Sequence, residues 1–143
     1  MNKWGGVKGE FSSGSGTEQN SIIKPYVKMI SDVISYQKFE VTSFVDLGCG
    51  YFKVGSKSLP FCSSYIGIDI VKPLILHNEK TFINEKVNLQ HLNIIEDELP
   101  EGNICFIRQV FQHLSNEQII KVLAKLKKYN SIFITEHYPS EST

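Results

Sequence analysis

Two acids, two closely spaced glycines and two histidines are the residues of this 143-residue chain whose types and spacing could do chemistry. Asp46-Leu47-Gly48-Cys49-Gly50 carries the first acid, and Tyr65-Ile66-Gly67-Ile68-Asp69-Ile70 carries the second. Gly48 and Gly50 suit a backbone that must turn sharply or let a ligand approach closely. A carboxylate at Asp69, closing an apolar run, suits the two hydroxyls of a ribose. Phosphate patterns fail around the same turn. The third glycine of a dinucleotide fingerprint would fall at Lys53, and Gly50 and Gly55 are followed by Ser56-Lys57 where Lys-Ser/Thr is required. The loop therefore favours a nucleoside without phosphates. His113 and His137 could take or hold a proton, but together with Glu136 they lack a spacing diagnostic of a metal, and no metal is expected.

The elements that must position these groups read clearly. Phe44, Val45 and Leu47 form an apolar run too continuous for a half-exposed strand, so it belongs mid-sheet. A short helix over 53–59 follows the glycine turn and stops at Pro60, and a second strand over 64–68 delivers Asp69. Residues 73–84 read as a helix with Leu74, Ile75, Leu76, Phe82 and Ile83 as core candidates. Val87, Leu89 and His91 alternate with Asn88, Gln90 and Leu92, which marks an edge strand with one wetter face and places His91 on the surface. Glu96 to Gly102 is a turn cluster. A buried strand over 103–107 carries Arg108 and Gln109 to the mouth of the cleft. Ser115-x-x-Gln118 is a capping box opening an amphipathic helix with Ile119, Ile120, Leu123 and Leu126 as its core stripe. Lys125, Lys127 and Lys128 suit its negative, solvated end. Residues 131–135 form a fifth strand. Near the start, Ile23, Tyr26, Val27, Ile30 and Ile34 recur at helical spacing over 21–37. Residues 1–20 are polar and glycine-rich, either a flexible leader or a lid closing with Trp4 or Phe11.

Asp46 to Gly50 followed by Tyr65 to Ile70 resembles the cofactor half of the class I S-adenosylmethionine-dependent methyltransferases. Ile107 to Ser115 is similar to that family's fourth-strand segment and the helix after it, so the likeness spans about residues 40–137. The resemblance implies an α/β, Rossmann-like three-layer sandwich with a mainly parallel sheet of about five strands in the order 3-2-1-4-5. It lacks the family's usual C-terminal strand pair. Residues 21–143 form the cofactor-binding domain after the 1–20 segment. The implied cofactor is S-adenosylmethionine, with S-adenosylhomocysteine as product, held by Asp46, Gly48, Cys49, Gly50, Asp69, Ile70, Asn93, Ile94, Arg108 and Gln109. Ile70 and Val71 would cover an adenine face. Asn93 stands where the family often has an acid that takes the adenine amino group, and its amide oxygen can also accept. Phe52 departs from the family's third glycine and predicts a less open turn. The implied reaction is methyl transfer to an unidentified acceptor, a small molecule, with His113 or His137 as the base if the acceptor is a hydroxyl or amine. The alternative is an inactive S-adenosylmethionine-binding remnant or regulatory subunit.

Composition sets the outer bounds. Fifteen basic residues balance fifteen acidic ones, so nothing argues for a nucleic-acid surface or an anionic membrane. No apolar run approaches the roughly 18 residues of a membrane span. Cys49, Cys62 and Cys105 are odd in number without metal-like spacing, which fits reduced thiols and a cytoplasmic chain. An apolar fifth strand at a sheet edge is a liability, so a second copy or a partner protein is expected along it.

Overall fold

The computed structural model describes residues 20–37, 42–82 and 84–136. Trp4, Phe11 and His137, and with them the lid and one expected base, lie outside the described residues. The apolar runs form parallel strands β1 (Ser43–Leu47), β2 (Ser64–Asp69), β3 (Val87–His91), β4 (Ile104–Arg108) and β5 (Ser131–Thr135), hydrogen-bonded in the order β3-β2-β1-β4-β5. This is the expected 3-2-1-4-5 sheet. Register runs Leu47 beside Ile68 and Ile107, which brings the carboxyl ends of the three central strands to one rim.

Alternation along the strands splits the core in two. Phe44, Tyr65, Ile104 and Phe106 face α1 (Asn20–Gln37), meeting Ile30, with Tyr26 and Ile34 packed against the same cluster. Val45, Leu47, Ile68, Cys105 and Ile107 face Val122 and Leu126, at α4 (Asn116–Lys125) and the turn that ends it. The short α2 (Lys53–Ser58) follows the glycine turn, and α3 (Lys72–Thr81) sets Ile75 against Cys49 and Leu89. Central strands buried on both faces explain why their sequence reads as continuous apolar runs.

Helix α4 departs from the expected stripe. The capping box forms as read, with Ser115 Oγ accepting from Gln118 N and Gln118 Oε1 accepting from Ser115 N. Val122 and Leu126 are the buried residues, while Ile120 and Leu123 are 66% and 43% exposed. In this phase Lys125 turns inward rather than to solvent. Its Nζ donates to the carbonyls of Ile94 (3.0 Å), Ile95 (2.6 Å) and Asp97 (2.7 Å). Lys128 Nζ likewise donates to Leu99 O. Helix α3 ends at Thr81, short of the expected Asn84, and Leu76 is exposed rather than in the core. Strand β5 ends the sheet with Ile132 and Ile134 exposed on one side of it.

Phe52 resolves the missing third glycine. Its backbone is left-handed (φ 68°), as a glycine would be. Its buried ring packs edge-on against Tyr65 (5.0 Å) and Phe82 (4.9 Å). The left-handed conformation costs about 1–2 kcal/mol for an L-residue, less than the roughly 3–5 kcal/mol lost when a buried aromatic is removed. The ring wins. Phe52→Gly, which relieves the backbone, is therefore expected to destabilise the fold by about 1–4 kcal/mol in urea unfolding; a more stable variant would reverse this ordering.

Beside that ring, Asp46 points into the α1 side of the sheet. Its carboxylate pairs with the Tyr65 hydroxyl, and the Arg108 guanidinium lies over the Tyr26 ring at 5.7 Å. Burial pushes the Asp46 carboxyl above the ordinary carboxylate range, outweighing the downward pull of Tyr65 and Arg108. A folded-state value raised above the unfolded one adds stability below the unfolded pKa and loses it as pH rises through the folded value. Asp46→Asn keeps an acceptor for Tyr65 and removes that titration. Urea unfolding should show wild-type stability, measured relative to Asp46→Asn, falling as pH is raised from about 4 towards neutrality. A difference that stays flat across this range would contradict the assignment.

Candidate nucleoside cleft

The turn after β1 is fastened to the end of β2. Gly48 (φ 83°) and Gly50 (φ 57°) take left-handed conformations, which only glycine adopts without strain. The amides of Gly48 and Cys49 both donate to Ile68 O (2.8 and 2.9 Å). Gly50 N donates to Asp69 Oδ2 at 3.0 Å, and the wholly buried Asn78 donates from Nδ2 to Gly50 O at 2.8 Å. The turn is thus clamped between β2 and α3. A Cβ at Gly48 would stand 2.5 Å from Val110 Cγ2, so the turn and the loop after β4 approach closely only because no side chain intervenes.

Asp69 is the acid this arrangement presents. It is 5% exposed, with Oδ2 accepting from Gly50 N and Oδ1 from Val71 N at 2.9 Å. The Ile70 amide also hydrogen-bonds this carboxylate, which as an acceptor-only group with about four lone-pair sites keeps capacity for a further donor. Burial raises its pKa, while the amides of Val71 and Gly50 act in the opposite direction.

Above Asp69 lies a cleft of about 160 Å³. Gly48, Asp69, Ile70, Asn93, Ile94 and His113, six residues singled out in the sequence, line it together. Ile70 is 53% exposed at this rim, a position from which an apolar side chain can cover a flat ring. His113 is exposed on the loop after β4, and its backbone N donates to Val110 O.

The other expected residues stand elsewhere. Asp46 is engaged by Tyr65, and Arg108 faces Tyr26. Cys49 is buried against Ile75 and Leu89, and burial pushes its thiol well above the usual range. Gly50 supports Asp69 without lining the cleft. Gln109, left-handed at φ 55°, donates from its backbone N to Thr135 O. Asn93 lines the cleft, but its Oδ1 accepts from Ile95 N (2.9 Å) and Glu96 N (3.4 Å), so that oxygen is spent on the local turn. Among the described residues no group of three or more metal-ligating side chains comes together.

Leu92, Ile95, Val110 and Leu114 complete the apolar wall and were not singled out. Their signal in the sequence is weak, since an apolar residue just beyond a strand reads as core or loop. Glu136 was noted only as a doubtful metal ligand. Its Oε1 accepts from Val110 N (3.3 Å) and Phe111 N (3.0 Å), which holds the second wall in place.

No protein-family model matches the sequence, and no curated protein does. Solved structures do match. An S-adenosylmethionine-dependent methyltransferase from Mesorhizobium loti superposes with a TM-score of 0.61 at 13% identity, covering 80% of this chain and 56% of that one. N-methyltransferase NodS from Bradyrhizobium japonicum WM9, in complex with S-adenosylhomocysteine, gives 0.61 at 15%, covering 77% and 57%. DesVI from Streptomyces venezuelae gives 0.67 at 14%, covering 84% and 54%. The chain therefore spans 54–57% of the length of these three proteins. At this identity the likeness is one of fold, and the fold is the Rossmann-like one of the class I S-adenosylmethionine-dependent methyltransferases.

Proposed function

We propose that the chain binds S-adenosylmethionine in the cleft above Asp69 and serves methyl transfer to a small-molecule acceptor. The observation that carries this reading is Asp69 itself, a buried carboxylate at the end of β2, held by backbone amides and lining an apolar slot. Two neighbouring hydroxyls on a ribose match those two oxygens, and Ile70, Leu92 and Ile94 supply the apolar surface a base requires. The glycine turn keeps side-chain bulk away from the sugar. NodS was crystallised with S-adenosylhomocysteine on this fold, which supports the same class of ligand here.

S-adenosylmethionine supplies an activated methyl group on its sulfonium when bound. What the chain contributes is position and exclusion of water, since the donor needs little further activation. Asp69 fixes the nucleoside, and the walls from the loops after β3 and β4 shield it. His113, at the rim, would take the proton from an acceptor hydroxyl or amine. Binding without turnover is the second reading, favoured by the position of His113 on the exposed side of the rim, open to solvent. Radiolabelled methyl transfer from the cofactor into a pool of small metabolites separates the two.

Isothermal titration with S-adenosylhomocysteine tests the cleft. Asp69→Asn replaces one of its two acceptor oxygens with a donor and should weaken binding by about tenfold or more, with the urea midpoint measured beside it to separate a lost ligand contact from a loosened turn. Equal affinity in the variant would refute the role given to Asp69.

A further inference from the structure

Resting on that reading, the hydrogen bonds at the far end of the cleft say which base it takes. Besides Asp69, the polar side chains on the lining are Asn93 and His113. Asn93 follows β3 and has one of its two amide atoms already committed. Oδ1 accepts from Ile95 N at 2.9 Å and lies 3.4 Å from Glu96 N. Two backbone donors aimed at one atom fix the orientation of the amide, because the alternative would set N–H against N–H. The atom left to meet a ligand is therefore Nδ2, a donor.

Three main-chain carbonyls of the same loop already accept a hydrogen bond. Asn93 O accepts from Asp97 N at 2.8 Å. Ile94 O and Ile95 O both accept from Lys125 Nζ, at 3.0 and 2.6 Å. A carboxylate at position 93 could give one oxygen to the turn and offer the other to an exocyclic amino group. Asparagine offers an N–H at that place instead. An amino group brought there meets a donor, whereas a carbonyl oxygen meets a partner.

We propose that Asn93 makes this a cleft that does not select a 6-aminopurine, and that takes a 6-oxopurine nucleoside at least as well as adenosine. The ligand class is thus a purine nucleoside thioether or sulfonium read through an acceptor on the base edge, with the ribose held by Asp69 as in adenosyl binding. Adenine retains ring nitrogens able to accept from Nδ2, so the adenosyl compound still binds; what it loses is the advantage of its amino group.

S-adenosylhomocysteine and S-inosylhomocysteine differ only at the C6 position and its neighbouring ring nitrogen, and they provide the test by isothermal titration on the full chain. The wild type should bind the inosyl compound within about threefold of the adenosyl compound, or more tightly. Asn93→Asp keeps an acceptor for Ile95 N and adds a second acceptor facing the base. It should shift the ratio of affinities towards the adenosyl compound by about tenfold, a change that mere loosening of the loop would not produce. A wild type that binds the adenosyl compound tenfold or more tightly than the inosyl one would overturn this inference and leave the Asp69 reading standing. A wild type that binds neither would overturn both.

Discussion

The shape of this molecule turns on one shared carboxylate. Asp69 ends β2 with its two oxygens divided between the amide of Gly50, in the turn after β1, and the amide of Val71, ahead of α3. A buried acid needs such donors, because an unpaired charge in that place would be costly. The two segments that meet there therefore have little freedom to separate. Gly48 and Cys49 add their amides to Ile68 O, so β1 and β2 leave the sheet as one braced corner. A cleft at the carboxyl ends of parallel strands follows from this bracing rather than from the sheet alone.

The opposite wall is built by different chemistry. The loop after β3 has few buried side chains of its own, and α4 and the turn that ends it hold it through Lys125 and Lys128 on four carbonyls. Tyr129 adds its hydroxyl to Pro100 O at 2.6 Å. An ammonium with three donors directed at three carbonyls orients a loop more strictly than apolar contact would. The acidic cluster Glu96 to Glu98 is exposed beside them, and Lys121 lies 3.7 Å from Glu96. This exposed pair contributes little. The carbonyl contacts, partly buried, set the loop's position.

The strands and the glycine turn were legible in the sequence because each is a local signal, a continuous apolar run or a glycine pair, whereas the strand order came from the resemblance to the class I methyltransferases. Tertiary facts were less so. Ile120 and Leu123 fit an apolar stripe as well as Val122 does, and only the packed structure shows that Val122 and Leu126 are the ones that reach the sheet. Phe52 read only as a side chain that makes the turn less open, because its ring's partners, Tyr65 and Phe82, are distant in sequence. Arg108 and Gln109 belong to a motif pointing towards the cleft, yet the aromatic face of Tyr26 claims one and Thr135 O the other. Val110 and Leu114 had no distinctive chemistry to reveal them, since their role is shape.

Strand β5 stands two strands away from β1, yet the cleft depends on it. Where β4 ends, Gln109 reverses the chain with a left-handed backbone, a conformation that ordinary residues hold only when neighbours enforce it. The enforcement comes from β5: Thr135 O accepts from Gln109 N at 2.7 Å, and Glu136 gathers the next two amides onto one oxygen. Val110 is thereby pressed towards Gly48, where a Cβ would not fit. The bare glycine and the clamped valine are two halves of one constraint. The end of the edge strand is thus part of the machinery that keeps the second wall against the turn, and a change there reaches the cleft through the Thr135 carbonyl and the Glu136 carboxylate.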